Sequence, residues 1–374
     1  VALGCPRVAQ AKARAEASPG IVHLEIMRPS LTPGAAGVPG IPGGRSLRAE
    51  GTAATLRSGG GLDADGERCK RRRTPAAASH GDGRSTKDHL VSSKKSAASA
   101  KRRTAQAQAK KPRALLSARN ADKHVLYQRA VQAPEIEVEF IADTFAEVVG
   151  RKALTVREDF CGTALFCAEW VKSDAERTAT GVDIDPDVLA WGREHNIEPL
   201  AADAERVTLL QEDVRTAQAN GFDVATAFNF SYWIFGSRDE LRRYFAAVHA
   251  SLVKDGLFFL DAYGGWESWQ PMEERRNKGN FTYIWDQSEV NPIDNTIVNY
   301  IHFEFRDGTK LRKAFEYRWR FWTLPEIREL LLEAGFSEVS IYWDISKDDS
   351  KTVYRPRKVA ENQPGWLAYI VARP

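Results

Sequence analysis

From residue 122 onward the apolar positions fall into short runs that switch between two spacings. HVLYQRAV (124–131) and PEIEVEFIADTFAEVV (134–149) place apolar side chains three and four apart, with Pro134 at a first-turn position, and predict two helices. Strand-like and helix-like pieces then alternate: ALTVR (153–157), TALFCAEWV (163–171), TATGVDI (178–184), PDVLAWGREH (186–195), RVTLLQ (206–211), FDVATAFNF (222–230), RDELRRYFAAVHASLV (238–253) and GLFFLDAY (256–263). Such alternation predicts a doubly wound α/β fold around a parallel sheet. Residues 281–322 break the rhythm. FTYIWDQ, TIVNYIHFEF and KLRKAFEYRWRFW are long aromatic and β-branched runs, with Asp307 and Gly308 as a hairpin turn between the last two. They predict an antiparallel insertion, bounded at 278–322, in which Tyr317, Trp319 and Phe321 share one face and Arg318 and Arg320 the other. TLPEIRELLLEAGF follows as a helix, with Thr323 as N-cap, Pro325 and Glu326 in its first turn and Gly335 at its end. SEVSIYWDI and GWLAYIVARP close the chain as two further strands.

Composition changes the picture for the first third of the chain. Residues 1–126 contain no Phe, Tyr or Trp, and a segment of that kind buries too little apolar surface to offset its ordering entropy. Residues 1–113 carry 22 Lys and Arg against 8 Asp and Glu, a net +14, while the remainder is at −11. A disordered basic tail is expected over 1–118 and a folded domain over 119–374. Arg-, Ala- and Ser-rich stretches fit a transit peptide loosely; KRRR (70–73) with KRR (101–103) fits a nuclear signal loosely; a first residue other than Met fits a fragment equally well. Cys5, Cys69, Cys161 and Cys167 show neither Cys-x-x-Cys spacing nor a nearby His cluster, so no metal site is expected and a reducing, cytoplasmic setting is the simpler expectation. No apolar run approaches the ~18 residues of a membrane span, so no membrane partner is expected.

In open parallel sheets ligands bind beyond the carboxyl ends of the strands, where strand order reverses. The first strand ends in REDFCGTA (157–164), and the second delivers Asp183, 21 residues beyond Gly162 and close to the ~20 at which a ribose-binding acid follows the loop in dinucleotide folds. A dinucleotide loop needs three glycines so that its amides reach a pyrophosphate. Here Phe160 and Ala164 stand at two of those places, which argues against NAD or FAD and favours a nucleoside ligand without phosphates.

These residues resemble the class I S-adenosylmethionine-dependent methyltransferases, over about residues 120–374. Glu158-Asp-Phe-Cys-Gly-Thr-Ala164 is similar to the family's first motif, GVDIDP (181–186) to its second, QEDV (211–214) to its third and FDVATAFNF to its fourth strand. The resemblance implies a Rossmann-like, mostly parallel seven-stranded sheet ending in an antiparallel hairpin. It implies S-adenosyl-L-methionine as cofactor, with Glu158, Gly162 and Thr163 at the methionine end and Asp183 with Ile184 at the ribose. Asp213 and Val214 would lie at the adenine, and Asn229 and Phe230 over the cofactor. Asp159 is an alternative to Glu158 as the acidic partner. Tyr127 and Arg129, on a helix before the sheet, would fold over the ligand, with Arg129 or Arg157 as the charge for its carboxylate.

Methyl transfer is an in-line displacement in which positioning and exclusion of water matter more than acid–base groups. Tyr232, Tyr263 and His302 are the candidates should a base be required. The aromatic insertion resembles the lids of small-molecule methyltransferases, so a small-molecule acceptor is expected. Two alternatives stay open: a nucleic-acid or protein methyltransferase that uses the basic tail for substrate contact, and a non-catalytic module.

Overall fold

The computed structural model describes residues 115–346 and 352–374. The basic segment expected over 1–118 lies outside the described residues except for its last four positions. Two helices, α1 (Lys123–Val131) and α2 (Pro134–Val149), precede the sheet. The α/β run comprises β1 (Thr155–Asp159), α3 (Leu165–Ser173), β2 (Thr178–Asp183), α4 (Pro186–Gly192), β3 (Val207–Gln211), β4 (Phe222–Ala227), α5 (Arg238–Ser251) and β5 (Leu252–Gly264). Four strands follow, β6 (Met272–Asn277), β7 (Phe281–Val290), β8 (Thr296–Phe305) and β9 (Lys310–Arg320). The chain ends with α6 (Leu324–Glu333), β10 (Glu338–Asp344), β11 (Tyr354–Pro356) and β12 (Trp366–Arg373).

The main sheet runs β11-β10-β12-β5-β4-β1-β2-β3. The pairs from β3 to β5 are parallel, whereas β12 lies antiparallel to β5 and β10 to β12. This is the mostly parallel sheet with an antiparallel hairpin that the sequence implied. The three-residue β11 is an eighth strand, too short to leave a periodicity signal. Alternation along the strands divides the core between the two faces. Val156, Val224, Leu257 and Phe259 pack towards α2 and α3, while Ala225, Ala227, Phe258 and Leu260 pack towards α1, α5 and α6. Capping boxes fix the starts of α5 (Ser237 with Glu240) and α6 (Thr323 with Glu326), as the Thr323 N-cap required.

The second sheet is an antiparallel meander, β6-β7-β8-β9. Its outer strand reads MEERRN with alternating half-buried and exposed positions, and this charge concealed it in the sequence. Phe315, Tyr317, Trp319 and Phe321 are buried on the inner face and join the core cluster that includes Phe230, Trp233 and Tyr263 from the ends of β4 and β5. The meander therefore covers the carboxyl ends of the central strands.

Candidate active site

The chain order reverses between β1 and β4, both of which end at the loop REDFCGTA. Phe160, Gly162 and Ala164 all adopt left-handed backbone, with φ of 57°, 52° and 53°. The loop thus keeps the conformation of a glycine-rich turn although two of its three turn positions carry side chains, at about 1–2 kcal/mol for each non-glycine residue. Gly162 has open space where a Cβ would stand. The loop also needs room on its other side: a Cβ on Gly192 of α4 would lie 2.5 Å from the Thr163 carbonyl oxygen. Phe160 does not plug the turn. Its ring leans towards α5, with centroids 5.6 Å from Tyr244 and 6.0 Å from Phe235.

Asp183 terminates β2 beside this loop. Its Oδ2 accepts from the Gly162 N–H at 2.8 Å and its Oδ1 from the Asp185 N–H at 3.0 Å. Burial raises its pKa above the ordinary carboxylate range, although those two N–H groups favour the charged form. Glu158 accepts from the backbone N–H and the thiol of Cys167, which ties the start of α3 to the end of β1. Burial, with Glu158 next to them, pushes the Cys161 and Cys167 thiols well above their usual range, so neither serves as a nucleophile at neutral pH.

Two concavities meet at Phe160. One, of about 230 Å³, is lined by Ile184, Glu212, Asp213, Val214, Arg215, Ile234 and Phe235. The other is a slot of about 30 Å³ formed by His124, Tyr127, Glu158, Gly162, Thr163, Asn229 and Phe315, among others. The expected residues Ile184, Asp213 and Val214 therefore gather in the wider space, and Tyr127, Glu158, Gly162, Thr163 and Asn229 gather in the slot. Asp213 holds Arg215 bidentately, at 2.6 Å in its shorter contact, and this pairing lowers its pKa. Helix α1 roofs the slot. Asp122 caps it, accepts from Trp191 Nε1 at 2.9 Å, and Gln128 Nε2 donates to Thr163 Oγ1 at 3.0 Å.

Other expected residues are placed elsewhere. Arg129 donates to Asn280 on the meander and stacks over Phe281, outside both concavities. Arg157 is buried, with Nε on Asp159 at 2.7 Å and Nη2 on the Val214 carbonyl at 2.7 Å, so it braces the protein rather than presenting charge to a ligand. Asp159 also accepts from Tyr244; it borders the slot together with Glu158, but its carboxylate is engaged by Arg157 and Tyr244. Tyr232 is fully buried and donates to the Asp261 carbonyl; burial pushes its phenol far above the range of a base. His302 lies on the outer face of the meander, between Asp286 Oδ2 at 3.2 Å and the Lys313 N–H at 2.7 Å. Tyr263 is the one catalytic candidate on the covered side, its ring 4.9 Å from Trp233 and 4.8 Å from Phe230.

One functional residue escaped the sequence reading. Asn229 and Phe230 both have left-handed backbone (φ 60° and 57°), and the Asp261 carboxylate holds them there, accepting from both N–H groups at 2.9 Å. The signal was present: Asp261 is the lone acid inside the apolar run of β5. It sets the turn that brings Asn229 to the slot and sends Phe230 and Trp233 into the core cluster under the meander.

A doubly wound sheet, a buried acid at the end of its second strand and a left-handed loop beside it define an α/β protein whose cleft lies at the carboxyl ends of the central strands. Residues 161–258 match the family model described as a methyltransferase domain. That stretch is similar to a methyltransferase domain, and the fold is that of the S-adenosylmethionine-dependent methyltransferases. An S-adenosylmethionine-dependent methyltransferase from Clostridium acetobutylicum ATCC 824 superposes with a TM-score of 0.51 at 18% identity, covering 67% of this chain and 96% of its own. CalS10, an amino pentose methyltransferase from Micromonospora echinaspora, gives 0.49 at 16% identity over 67% and 96% of the two chains. The sugar N-methyltransferase KedS8 from Streptoalloteichus sp. ATCC 53650 gives 0.47 at 14% identity over 77% and 100%. No curated protein sequence matches the chain. No helix among the described residues is long and apolar enough to cross a membrane.

Proposed function

We propose that the paired concavities bind S-adenosylmethionine and that the domain transfers its methyl group to a small-molecule acceptor held beneath the meander. The observation that carries this reading is the Asp183 carboxylate, 98% buried at the end of β2 and hydrogen-bonded to the very loop whose three left-handed residues keep the floor of the cleft open. A carboxylate in that place accepts from two vicinal ribose hydroxyls. The wider concavity suits an adenine ring between Ile184, Val214 and Phe235, with Asp213 and the Val214 amide at its polar edge. The buried Oδ1 of Asn229 has no partner and suits the ammonium of the amino acid end, alongside Glu158. Gly162 and Thr163 offer their backbone beside that end, and Tyr127 on α1 closes it from above.

When bound, the cofactor supplies an activated methyl group on a sulfonium. The protein's part is to hold donor and acceptor in line and exclude water. It does so with α1 on one side and the aromatic inner face of the meander on the other. The acidic charge of residues 114–374, −11, favours a small acceptor over a polyanionic nucleic acid. The test is incubation of the full chain with methyl-labelled S-adenosylmethionine and a fractionated metabolite extract. Label in a small-molecule fraction is expected; label only in RNA, DNA or protein would overturn the choice of acceptor, and no transfer to any fraction would overturn the enzyme reading.

A further inference from the structure

The amino acid end of the proposed ligand carries a carboxylate, and neither arginine expected there is placed to meet it. Arg157 is buried against Asp159 and the Val214 carbonyl, and Arg129 is drawn to Asn280 and Phe281 on the meander. The slot itself supplies open acceptors. The buried oxygens Asn229 Oδ1 and Gln132 Oε1 have no hydrogen-bond partner, and both suit an ammonium rather than a carboxylate. Of the titratable side chains that line the slot, Glu158, Asp159, Tyr127 and Cys161 are neutral or anionic, so His124 is the one that can carry positive charge near neutral pH.

His124 sits in the first turn of α1, the helix that roofs the slot. Its ring lies 5.1 Å from that of Trp191 on α4 and 6.2 Å from that of Phe315 on β9. Among the described residues no hydrogen bond holds either of its ring nitrogens. Aromatic neighbours from two elements thus place the imidazole without spending its nitrogens, and it is free to turn into the narrow slot. The charged groups around it are Asp122 and Lys123 on its own element and Asp185 and His195 at the two ends of α4. Across the slot stand Glu158 and the Arg157-paired Asp159, and β9 faces it with Phe315. Burial, with Lys123 beside it, lowers its pKa below the usual histidine value against the pull of Asp122 and Asp185, so the ring is neutral in the free protein at neutral pH.

Resting on the proposed function, we infer that His124 is the cation that binds the carboxylate of S-adenosylmethionine in place of an arginine, and that it takes up a proton to do so. The ammonium then faces the floor of the slot at Glu158 and Asn229, and the carboxylate faces its roof. A carboxylate against the ring favours the imidazolium, so the pKa of His124 is higher in the complex than in the free protein. The proton comes from solvent, and no bond of the cofactor is made or broken. Affinity is therefore greatest where His124 is already protonated. It falls, by up to about tenfold per pH unit, as pH rises from the pKa of the free protein to that of the complex. Protons thus act on cofactor binding from both sides, because Asp183 has to be charged and His124 has to gain its proton.

The test is isothermal titration of S-adenosylhomocysteine, and of methylthioadenosine, which lacks the amino acid end, into the full chain at neutral pH in buffers of different ionisation enthalpy. The heat of S-adenosylhomocysteine binding is expected to vary with the buffer in the sense of proton uptake, and that of methylthioadenosine to stay constant. His124→Gln keeps an N–H donor but cannot gain a proton. It should weaken S-adenosylhomocysteine by at least about tenfold, abolish the uptake and leave methylthioadenosine unchanged. His124→Lys is charged without taking up a proton, and should restore affinity with no uptake, a result that a merely structural His124 would not give. No uptake by the parent, uptake that persists in His124→Gln, equal weakening of the two ligands, or a lysine variant as weak as the glutamine one would each overturn the inference. Failure of both ligands to bind the parent would instead refute the proposed function, so the two are separable.

Discussion

Arg157→Met removes the guanidinium that joins the end of β1 to the Val214 loop and leaves the hydrocarbon stem in place. In the parent protein Arg157 is 1% exposed, and its two bonds go to Asp159 Oδ1 and the Val214 carbonyl, both at 2.7 Å. The variant keeps Asp159 fully buried with only the Tyr244 hydroxyl as partner, and strips the carbonyl of its donor. Removing one member of a buried ion pair costs about 3–5 kcal/mol, which for a domain of this size lowers Tm by roughly 6–20 °C. Denaturant and thermal unfolding measure it. The loss must also depend on pH. Burial already raises the Asp159 pKa against the pull of Arg157 and Tyr244, and without Arg157 it rises further. A group with a raised folded-state pKa stabilises most below its unfolded pKa and loses that contribution as pH rises through the folded value. Arg157→Met should therefore be least stable, relative to the parent, at alkaline pH and recover towards acid. Arg157→Met with Asp159→Leu, which removes both charges, should recover most of the loss. A cost below about 1 kcal/mol, or a double variant no better than the single, would refute the reasoning.

Three further outcomes follow from the same geometry. Gly192→Ala places a Cβ 2.5 Å from the Thr163 backbone, so it should displace the loop and weaken S-adenosylhomocysteine by about tenfold or more, read by calorimetry; unchanged affinity would show that the loop does not need this approach. Because burial raises the Asp183 pKa, acidification protonates it sooner than an exposed carboxylate, and S-adenosylhomocysteine affinity should fall as pH drops through that raised value. Asp183→Asn should flatten that acid limb; a limb that persists in the variant belongs to another group. Asp122→Ala removes the cap of α1 and the Trp191 contact, and should cost about 1 kcal/mol in Tm-derived stability, with faster exchange of the α1 amides as the local readout.

The alternation of apolar spacings announced the α/β order because strands buried on both faces and amphipathic helices differ in period. The same signal missed β6, whose exposed edge is charged, and β11, which spans three residues. At the site, Asp183, Gly162, Glu158 and Asp213 were legible because their types and spacings are tied to the ends of particular strands. The fate of Arg157 was not, since strand alternation does not say which buried carboxylate a guanidinium will meet. Phe160 and Ala164 looked like departures from a glycine loop; the structure shows that the backbone keeps the left-handed turn and the side chains bear the strain. The role of Asp261 needed three dimensions, because its partners lie more than 30 residues away at the end of another strand.

The central claim is that the cleft beside REDFCGTA is a cofactor site anchored by Asp183. Isothermal titration of S-adenosylhomocysteine into the full chain, with Asp183→Ala and NADH in parallel, tests it most directly. Saturable binding by the parent, loss of at least about tenfold in Asp183→Ala and no heat with NADH are predicted. Equal affinity in parent and variant, or binding of NADH in place of S-adenosylhomocysteine, would contradict it.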